Sequence, residues 1–210
     1  MVLALVIAAL VGYLFGSLPF GWLIARMRGV NIFEVGSRSA GATNVRRVLG
    51  AGAGNTVFAL DLLKGAAAAA WPLAWAAWSG WPEGVGPLRF CLISLVAALI
   101  GHSFSCFTGF RGGKGVATGT GGFLVLLPIP LLIAAAIWVV AFYATGYVSL
   151  ASILAALTLP TAAYLHGDRS LLITAAAVVS LFVIIRHRTN IARLLRGTEN
   201  KFVKRKDGAP

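Results

Sequence analysis

Three polar, glycine-rich stretches interrupt an otherwise apolar chain: Gly36-Ser-Arg-Ser-Ala-Gly-Ala-Thr-Asn44, Gly101-His-Ser-Phe104 running on to Phe110-Arg-Gly-Gly-Lys-Gly115, and Arg186-His-Arg-Thr-Asn190. Their chemistry is that of an anion site, with phosphate the best-matched ligand. In the first stretch Gly36 and Gly41 let backbone N–H groups approach a ligand, and consecutive N–H groups make an anion-binding nest. Ser37, Ser39, Thr43 and Asn44 add side-chain donors, and Arg47 can grip a phosphate through two nitrogens. An ordinary re-entrant turn is the plainer reading of this loop taken alone. The same chemistry recurs in the second stretch, where Arg111, Gly112 and Gly113 lead to Lys114. A lysine at the start of a predicted helix is well placed to hold a phosphate near the helix N-terminus. In the third stretch His187 has Asn190 three residues on and cations on both sides.

Several chemistries are excluded. The Lys114 stretch lacks the glycine spacing and the Ser/Thr of a nucleotide-binding P-loop. An aspartate five residues after a histidine marks one large class of glycerolipid acyltransferases. The residues at that distance from His102, His166 and His187 are Phe107, Leu171 and Ala192. No Ser-His-Asp set is apparent. With six acidic residues in the whole chain, metal-dependent phosphoryl chemistry is disfavoured and no metal site is expected. Cys91 and Cys106 sit at opposite ends of one predicted span, about 22 Å apart at the helical rise, too far for a disulfide.

The elements that must position these loops are membrane spans. Of 210 residues 59% are hydrophobic and 11% charged, and the mean hydropathy is +0.87. A spanning helix needs roughly 20 apolar residues. The predicted spans are 3–25, 53–78, 88–106, two within 116–145 divided by Pro128-Ile-Pro130, then 150–165 and 170–185. A basic tail follows over 186–210. The whole, 1–210, reads as one polytopic domain. The first apolar run is long and lacks a basic leader, so it reads as a span and not as a cleaved signal. Fifteen of the eighteen Lys and Arg residues fall in the three polar stretches, their flanks and the tail. Arg89 and Arg169 fall on the other side, and Lys64 lies inside a span. That asymmetry puts the N-terminus outside and the C-terminus in the cytoplasm, and it requires an odd number of spans. The net charge of +12 is read as this bias plus contact with anionic lipid heads, not as nucleic-acid binding.

Asp61 and Lys64 are three apart on one helix face within a span. They form either a mutual ion pair fixing helix packing or support for the first polar loop. Gly12-x-x-x-Gly16 suits close helix contact. His102 sits at a membrane edge, where a lone histidine is usually structural. His166, on the opposite side, reads as a solvated turn residue.

The ordered motifs together resemble the bacterial acyl-phosphate:glycerol-3-phosphate acyltransferases, the PlsY family. The matches begin with Gly16-Ser-Leu-Pro-Phe-Gly21, Arg26, Gly29, Gly36-Ser37, and Gly41-Ala-Thr-Asn-Val45 with Arg47 and Gly50. They continue with Leu60-Asp-Leu-Leu-Lys-Gly65, Gly101-His-Ser-Phe-Ser105 and Gly112-Gly-Lys-Gly-Val-Ala-Thr118. The last are Tyr147-Val-Ser-Leu150 with Ser152, and Arg186-His-Arg-Thr-Asn-Ile191 through Gly197-Thr-Glu199. The resemblance implies an all-α bundle of seven transmembrane helices in the bacterial inner membrane, with a site facing the cytoplasm. It implies acyl transfer from acyl phosphate to the 1-hydroxyl of sn-glycerol 3-phosphate, giving lysophosphatidic acid and phosphate. No cofactor, acyl carrier protein or coenzyme A is implied, but a separate enzyme must form the acyl phosphate. By resemblance the catalytic set is Ser37, Lys114 and His187. Ser37, Lys114, Arg47, Arg111, Gly112, Gly113 and the Ser149/Ser152 pair would bind substrate phosphate, while Asn44, His187 and Asn190 hold or orient glycerol phosphate. Either His187 or the substrate phosphate takes the hydroxyl proton.

Three departures stand out. The usual Gly-Ser-Gly-Asn reads Gly36-Ser-Arg-Ser39, Asp-Ile-Arg reads Asn31-Ile-Phe33, and Thr-Arg reads Thr145-Gly146. Arg38 either adds a phosphate contact or blocks one. Two other classes remain open on the sequence: a transporter of a small phosphorylated solute, and a non-catalytic paralogue that binds lipid phosphate.

Overall fold

A computed structural model describes residues 2–79 and 86–202, and every regular element among them is helical. Gly80-Trp-Pro82 at the end of the second predicted span, and Lys204, Arg205 and Lys206 of the tail, lie outside the described residues. The chain divides into two compact units, Met1–Pro128 and Ile129–Pro210.

The first unit holds α1 (Val2–Ser17), α2 (Phe20–Arg26), α3 (Ala42–Leu49), α4 (Ala51–Ser79), α5 (Pro87–Ser103) and α6 (Val116–Leu126). Pro19 has no N–H and disfavours helix at Leu18, so the first span breaks between α1 and α2. Small residues let the helices touch. A side chain on Gly12 or Gly16 would run into the backbone of Ser94 or Ala98, which is where α1 crosses α5. Gly65 and Gly121 serve the α4–α6 crossing in the same way, against Thr118 and Leu62. Such close approach is how helices associate where lipid removes the hydrophobic drive. The Trp71 indole N–H closes the α4–α5 contact by donating to Ser94 Oγ at 2.8 Å.

The second unit holds α7 (Pro128–Thr145, bar its first residue), α8 (Val148–His166), α9 (Ser170–Arg186) and α10 (Arg188–Leu195). Pro128 and Pro130 sit in the first turn of α7, where a missing N–H breaks no helical bond. Gly167, in the left-handed region at φ +82°, ends α8. Beside it the His166 ring meets Asp168 at 3.1 Å in an exposed turn. α9 and α10 meet at a 59° bend centred on His187.

Five helical segments among the described residues are long and apolar enough to cross a membrane, or six if α9 and α10 count as one bent span. The predicted 116–145 pair does divide at Pro128, but its halves are unequal. α6 has 11 residues, about 16 Å of helix, roughly half a hydrocarbon core. The fold is an all-helical integral membrane bundle.

Candidate active site

The first polar loop is organised around Asn44. Its side chain is 2% exposed and every polar atom on it is used. Oδ1 accepts the Ser37 N–H at 2.8 Å, and Nδ2 donates to the carbonyls of Ser39 at 2.9 Å, Val35 at 3.2 Å and Ile32 at 3.4 Å. Beneath it lies an apolar cluster that includes Ile32, Phe33, Val45 and Val57. The loop can wrap one amide only because the backbone turns left-handed at Gly36, φ +59°, where a Cβ would strike Asn44 Oδ1. Asn44, expected to orient glycerol phosphate, is bonded throughout to the backbone of its own loop, which gives it a scaffold role. Ser37 is exposed, Thr43 half-buried and Arg47 exposed. Thr43 and Arg47 are four apart and share one face of α3.

Arg38 also has a positive φ, +54°. This is the place where the resembled pattern has glycine. A non-glycine residue there carries strain of about 1–2 kcal/mol, offset by about 0.4–1 kcal/mol because glycine has more unfolded freedom to lose. Arg38→Gly is thus expected to stabilise the protein by up to about 1 kcal/mol, read as a thermal unfolding midpoint a few degrees higher. The Arg38 side chain is exposed and makes no hydrogen bond or ion pair among the described residues.

The second loop leaves α5 through a 3₁₀ turn, Cys106–Thr108, and returns through Gly109 and Phe110, both left-handed. It ends at Gly115, φ +84°, the N-cap of α6. Lys114, half-buried, thus stands one residue before the cap, as the sequence predicted for a helix N-terminus. Two contacts lace this loop to the first. Ser39 Oγ donates to the Gly112 carbonyl at 3.4 Å. Arg111 donates to the Phe33 carbonyl at 3.1 Å, with its guanidinium 4.4 Å from the centre of the Phe33 ring. Arg111, expected as a phosphate ligand, also ties the two loops through one of its donors. Ser37 and Lys114 each lie two residues from the Ser39–Gly112 bond.

The second unit contributes a separate constellation. His187, 3% exposed, donates from Nδ1 to the Val183 carbonyl at 2.8 Å. A carbonyl only accepts, so the proton resides on Nδ1 and the basic nitrogen is Nε2. The Ser149 and Ser152 hydroxyls are bonded within the second unit. Ser152 Oγ donates to Val148 O at 2.8 Å and accepts from Trp138 Nε1 at 3.1 Å. Ser149 Oγ donates to Glu199 at 2.7 Å. Each serine has one O–H, and both are committed inside the protein. These are the partners of the two serines expected to hold phosphate.

Glu199 is the residue that sequence reasoning missed. Its carboxylate takes Ser149, Asn190 Nδ2 at 2.6 Å and Arg193 Nε at 2.7 Å, joining the start of α8 to α10. Asn190, expected beside glycerol phosphate, is 5% exposed and turned onto this carboxylate. The chain beyond Glu199 folds back, with Phe202 N–H donating to the Gly146 carbonyl at 2.8 Å. The signal available in the sequence was a lone acid in a basic tail, within Gly197-Thr-Glu199. Burial raises the Glu199 pKa, but the hydrogen bonds from Ser149, Asn190 and Arg193 outweigh it and hold the carboxyl below the usual 4.5. A lowered pKa in the fold means stability that is present above the ordinary glutamate range. It is lost as pH falls through the lowered folded value. The expected result is a wild-type melting temperature that drops on acidification below the ordinary range. Glu199→Gln should lose about 2–3 kcal/mol near neutrality and respond less to the same acidification.

With this geometry in hand, comparison with known proteins is decisive. The family model for glycerol-3-phosphate acyltransferase matches residues 6–197. The chain belongs to the glycerol-3-phosphate acyltransferase family. Among relatives named glycerol-3-phosphate acyltransferase, that of Fusobacterium nucleatum is 44% identical over 90% of this chain and 94% of its own. That of Hyphomonas neptunium is 41% identical over 97% and 95%. Two crystal structures of the integral membrane glycerol 3-phosphate acyltransferase PlsY are also similar. Its glycerol 3-phosphate form matches with TM-score 0.84, 37% identity, and coverage of 95% of this chain and 96% of that one. Its lysophosphatidic acid form matches with TM-score 0.82, 36% identity and 95% coverage of each. This acyltransferase is accordingly a multi-pass membrane enzyme that moves an acyl chain onto glycerol 3-phosphate.

Proposed function

We propose that the acyl donor is an acyl phosphate and that the acceptor atom is the 1-hydroxyl of sn-glycerol 3-phosphate. The observation that carries this reading is the lacing of two cation-bearing, glycine-rich loops by Ser39 and Gly112. That bond brings the loop of Ser37 against the loop of Lys114 within the first unit, which supports reading the two loops together as a phosphate site. A mixed anhydride is already activated, so the protein's tasks are to bind two anionic heads, align hydroxyl with carbonyl and stabilise the departing phosphate. The acceptor oxygen bonds to the acyl carbon, the bond from that carbon to the phosphate oxygen breaks, and the hydroxyl proton ends on the released phosphate. Ser37, Arg47 and Lys114 hold the donor phosphate. The resemblance gives His187, with Nε2 as its basic atom, the role of orienting the acceptor. Within the second unit Asn190 and Glu199 hold α10 to the start of α8. An enzyme that makes acyl phosphate must supply the donor.

Seven membrane crossings, with α6 and α9 each counted, an outside N-terminus and a cytoplasmic site in the bacterial inner membrane complete the proposal. The basic loops support that orientation. Cys106 is exposed and Cys91 buried, so a membrane-impermeant maleimide should label the protein at Cys106 in inverted membrane vesicles and leave intact cells unlabelled. For the reaction, purified protein given palmitoyl phosphate and glycerol 3-phosphate should release phosphate and lysophosphatidate in equal amounts. Lysophosphatidate without phosphate, or no turnover by folded protein, would overturn the donor assignment.

A further inference from the structure

We propose that Asp61, Lys64 and His102 are positioning residues for the acyl donor. They form a buried relay whose product is the placement of Gly112-Gly113, and through it of Lys114. The inference rests on the reading of Lys114 as a ligand of the donor phosphate.

The relay starts in α4. Lys64 Nζ lies 2.7 Å from Asp61 Oδ1, with the two side chains each 3% exposed. The same ammonium donates to the Leu18 carbonyl at 2.9 Å, at the proline break between α1 and α2, and sits 5.5 Å from the centre of the Phe20 ring. Asp61 Oδ1 faces His102 Nδ1 at 3.7 Å, an ion-pair distance beyond hydrogen-bond length. The opposite side of the His102 ring abuts Gly113, where an added Cβ would collide with Nε2. The His102 carbonyl accepts the Gly113 N–H at 3.1 Å, and a Cβ on Gly112 would strike that same carbonyl. The imidazole is therefore held between the ion pair and the glycine turn that delivers Lys114. Asp61, Lys64, His102, Arg111 and Gly113 border a common cavity of about 10 Å³, room for roughly one water.

Packing alone does not account for this arrangement. A buried ion pair is a weak source of stability, and apolar residues of similar volume often replace one without loss. Charges inside a membrane protein are expensive and tend to serve a site. Here the pair contacts the two features that shape the second loop's floor: the freed Leu18 carbonyl and the histidine under the glycine turn. Small displacements of a binding cation are costly, a 1 Å error being worth on the order of a hundredfold in rate.

The test uses the full chain in lipid, comparing wild type, the double variant Asp61→Leu/Lys64→Met, and His102→Gln. Thermal unfolding is measured with kcat and with KM for palmitoyl phosphate and glycerol 3-phosphate separately. Binding of palmitoyl phosphate without acceptor is measured with and without Lys114→Ala. The relay predicts near-wild-type melting for the double variant and a KM for palmitoyl phosphate raised about tenfold or more. It predicts a KM for glycerol 3-phosphate within about twofold of wild type, and no further loss of donor binding once Lys114 is alanine. Unchanged donor KM in either folded variant would overturn it, as would failure of both variants to fold, which assigns the trio to packing. Wild-type protein and Lys114→Ala provide the separate check. If wild type does not use palmitoyl phosphate, or Lys114→Ala leaves its binding unchanged, the donor reading fails independently of the relay.

Discussion

Lys114→Ala is expected to lower turnover of palmitoyl phosphate by about a hundredfold to a thousandfold, the range seen when one preorganised donor to a developing charge is removed. The expectation follows from placement. Lys114 is half-buried, directly before the left-handed Gly115 that caps α6, on a loop tied to Ser39 and Phe33. Neither tie uses the lysine, so the lacing of the two loops should survive the substitution. Lys114→Arg keeps the charge but replaces a point ammonium by a planar fork, and it should recover only part of the rate. Steady-state kinetics on both variants, with melting curves alongside, separates loss of charge from loss of fold. A Lys114→Ala enzyme with wild-type kcat and KM would remove the lysine from the site.

Asn44→Ala carries the second large effect, and there stability and activity should fall together. Three carbonyls lose a donor and the Ser37 N–H loses its acceptor. Each group left unsatisfied and buried costs about 1–3 kcal/mol. Because part of the loop is open to solvent, the sum should come to about 3–5 kcal/mol. Asn44→Asp separates a scaffold from a ligand. Aspartate keeps an acceptor for Ser37, but it sets a carboxylate oxygen against the carbonyls of Ile32, Val35 and Ser39. A scaffold role therefore predicts that aspartate is destabilised about as much as alanine, whereas a ligand role predicts a stable, inactive protein. Melting temperature and specific activity of the two variants decide between them.

The sequence was most informative where structure depends on local pattern. Long apolar runs marked the spans, and Pro128-Ile-Pro130 marked the division between α6 and α7. Gly113-Lys-Gly115 marked a helix start, and His166 lay in a solvated turn as its surroundings suggested. The intramembrane Asp61–Lys64 pair was legible from its three-residue spacing. What was not legible depends on partners distant in the chain. Ser149 meets Glu199 fifty residues on, and Arg111 reaches back 78 residues to Phe33. A serine or arginine in a polar motif looks the same in sequence whether its donors face a ligand or a neighbouring loop. The backbone partners of Asn44 were hidden for the same reason, because an amide that binds substrate and one that binds three carbonyls are the same residue type. The strain at Arg38 was visible only as a departure from the resembled pattern, until its φ of +54° gave the physical reason. The third residue of the relay, His102, is 38 positions beyond Lys64, and the proximity of its ring to Gly113 is a property of the α5–α6 connection alone.

The donor assignment is the centre of the account, and one double-label competition addresses it directly. Purified protein receives glycerol 3-phosphate with equal concentrations of ¹⁴C-palmitoyl phosphate and ³H-palmitoyl-coenzyme A, and the label in lysophosphatidate is counted. The account predicts ¹⁴C almost alone, with phosphate appearing in step and the signal gone in Lys114→Ala. Lysophosphatidate carrying mainly ³H would contradict it.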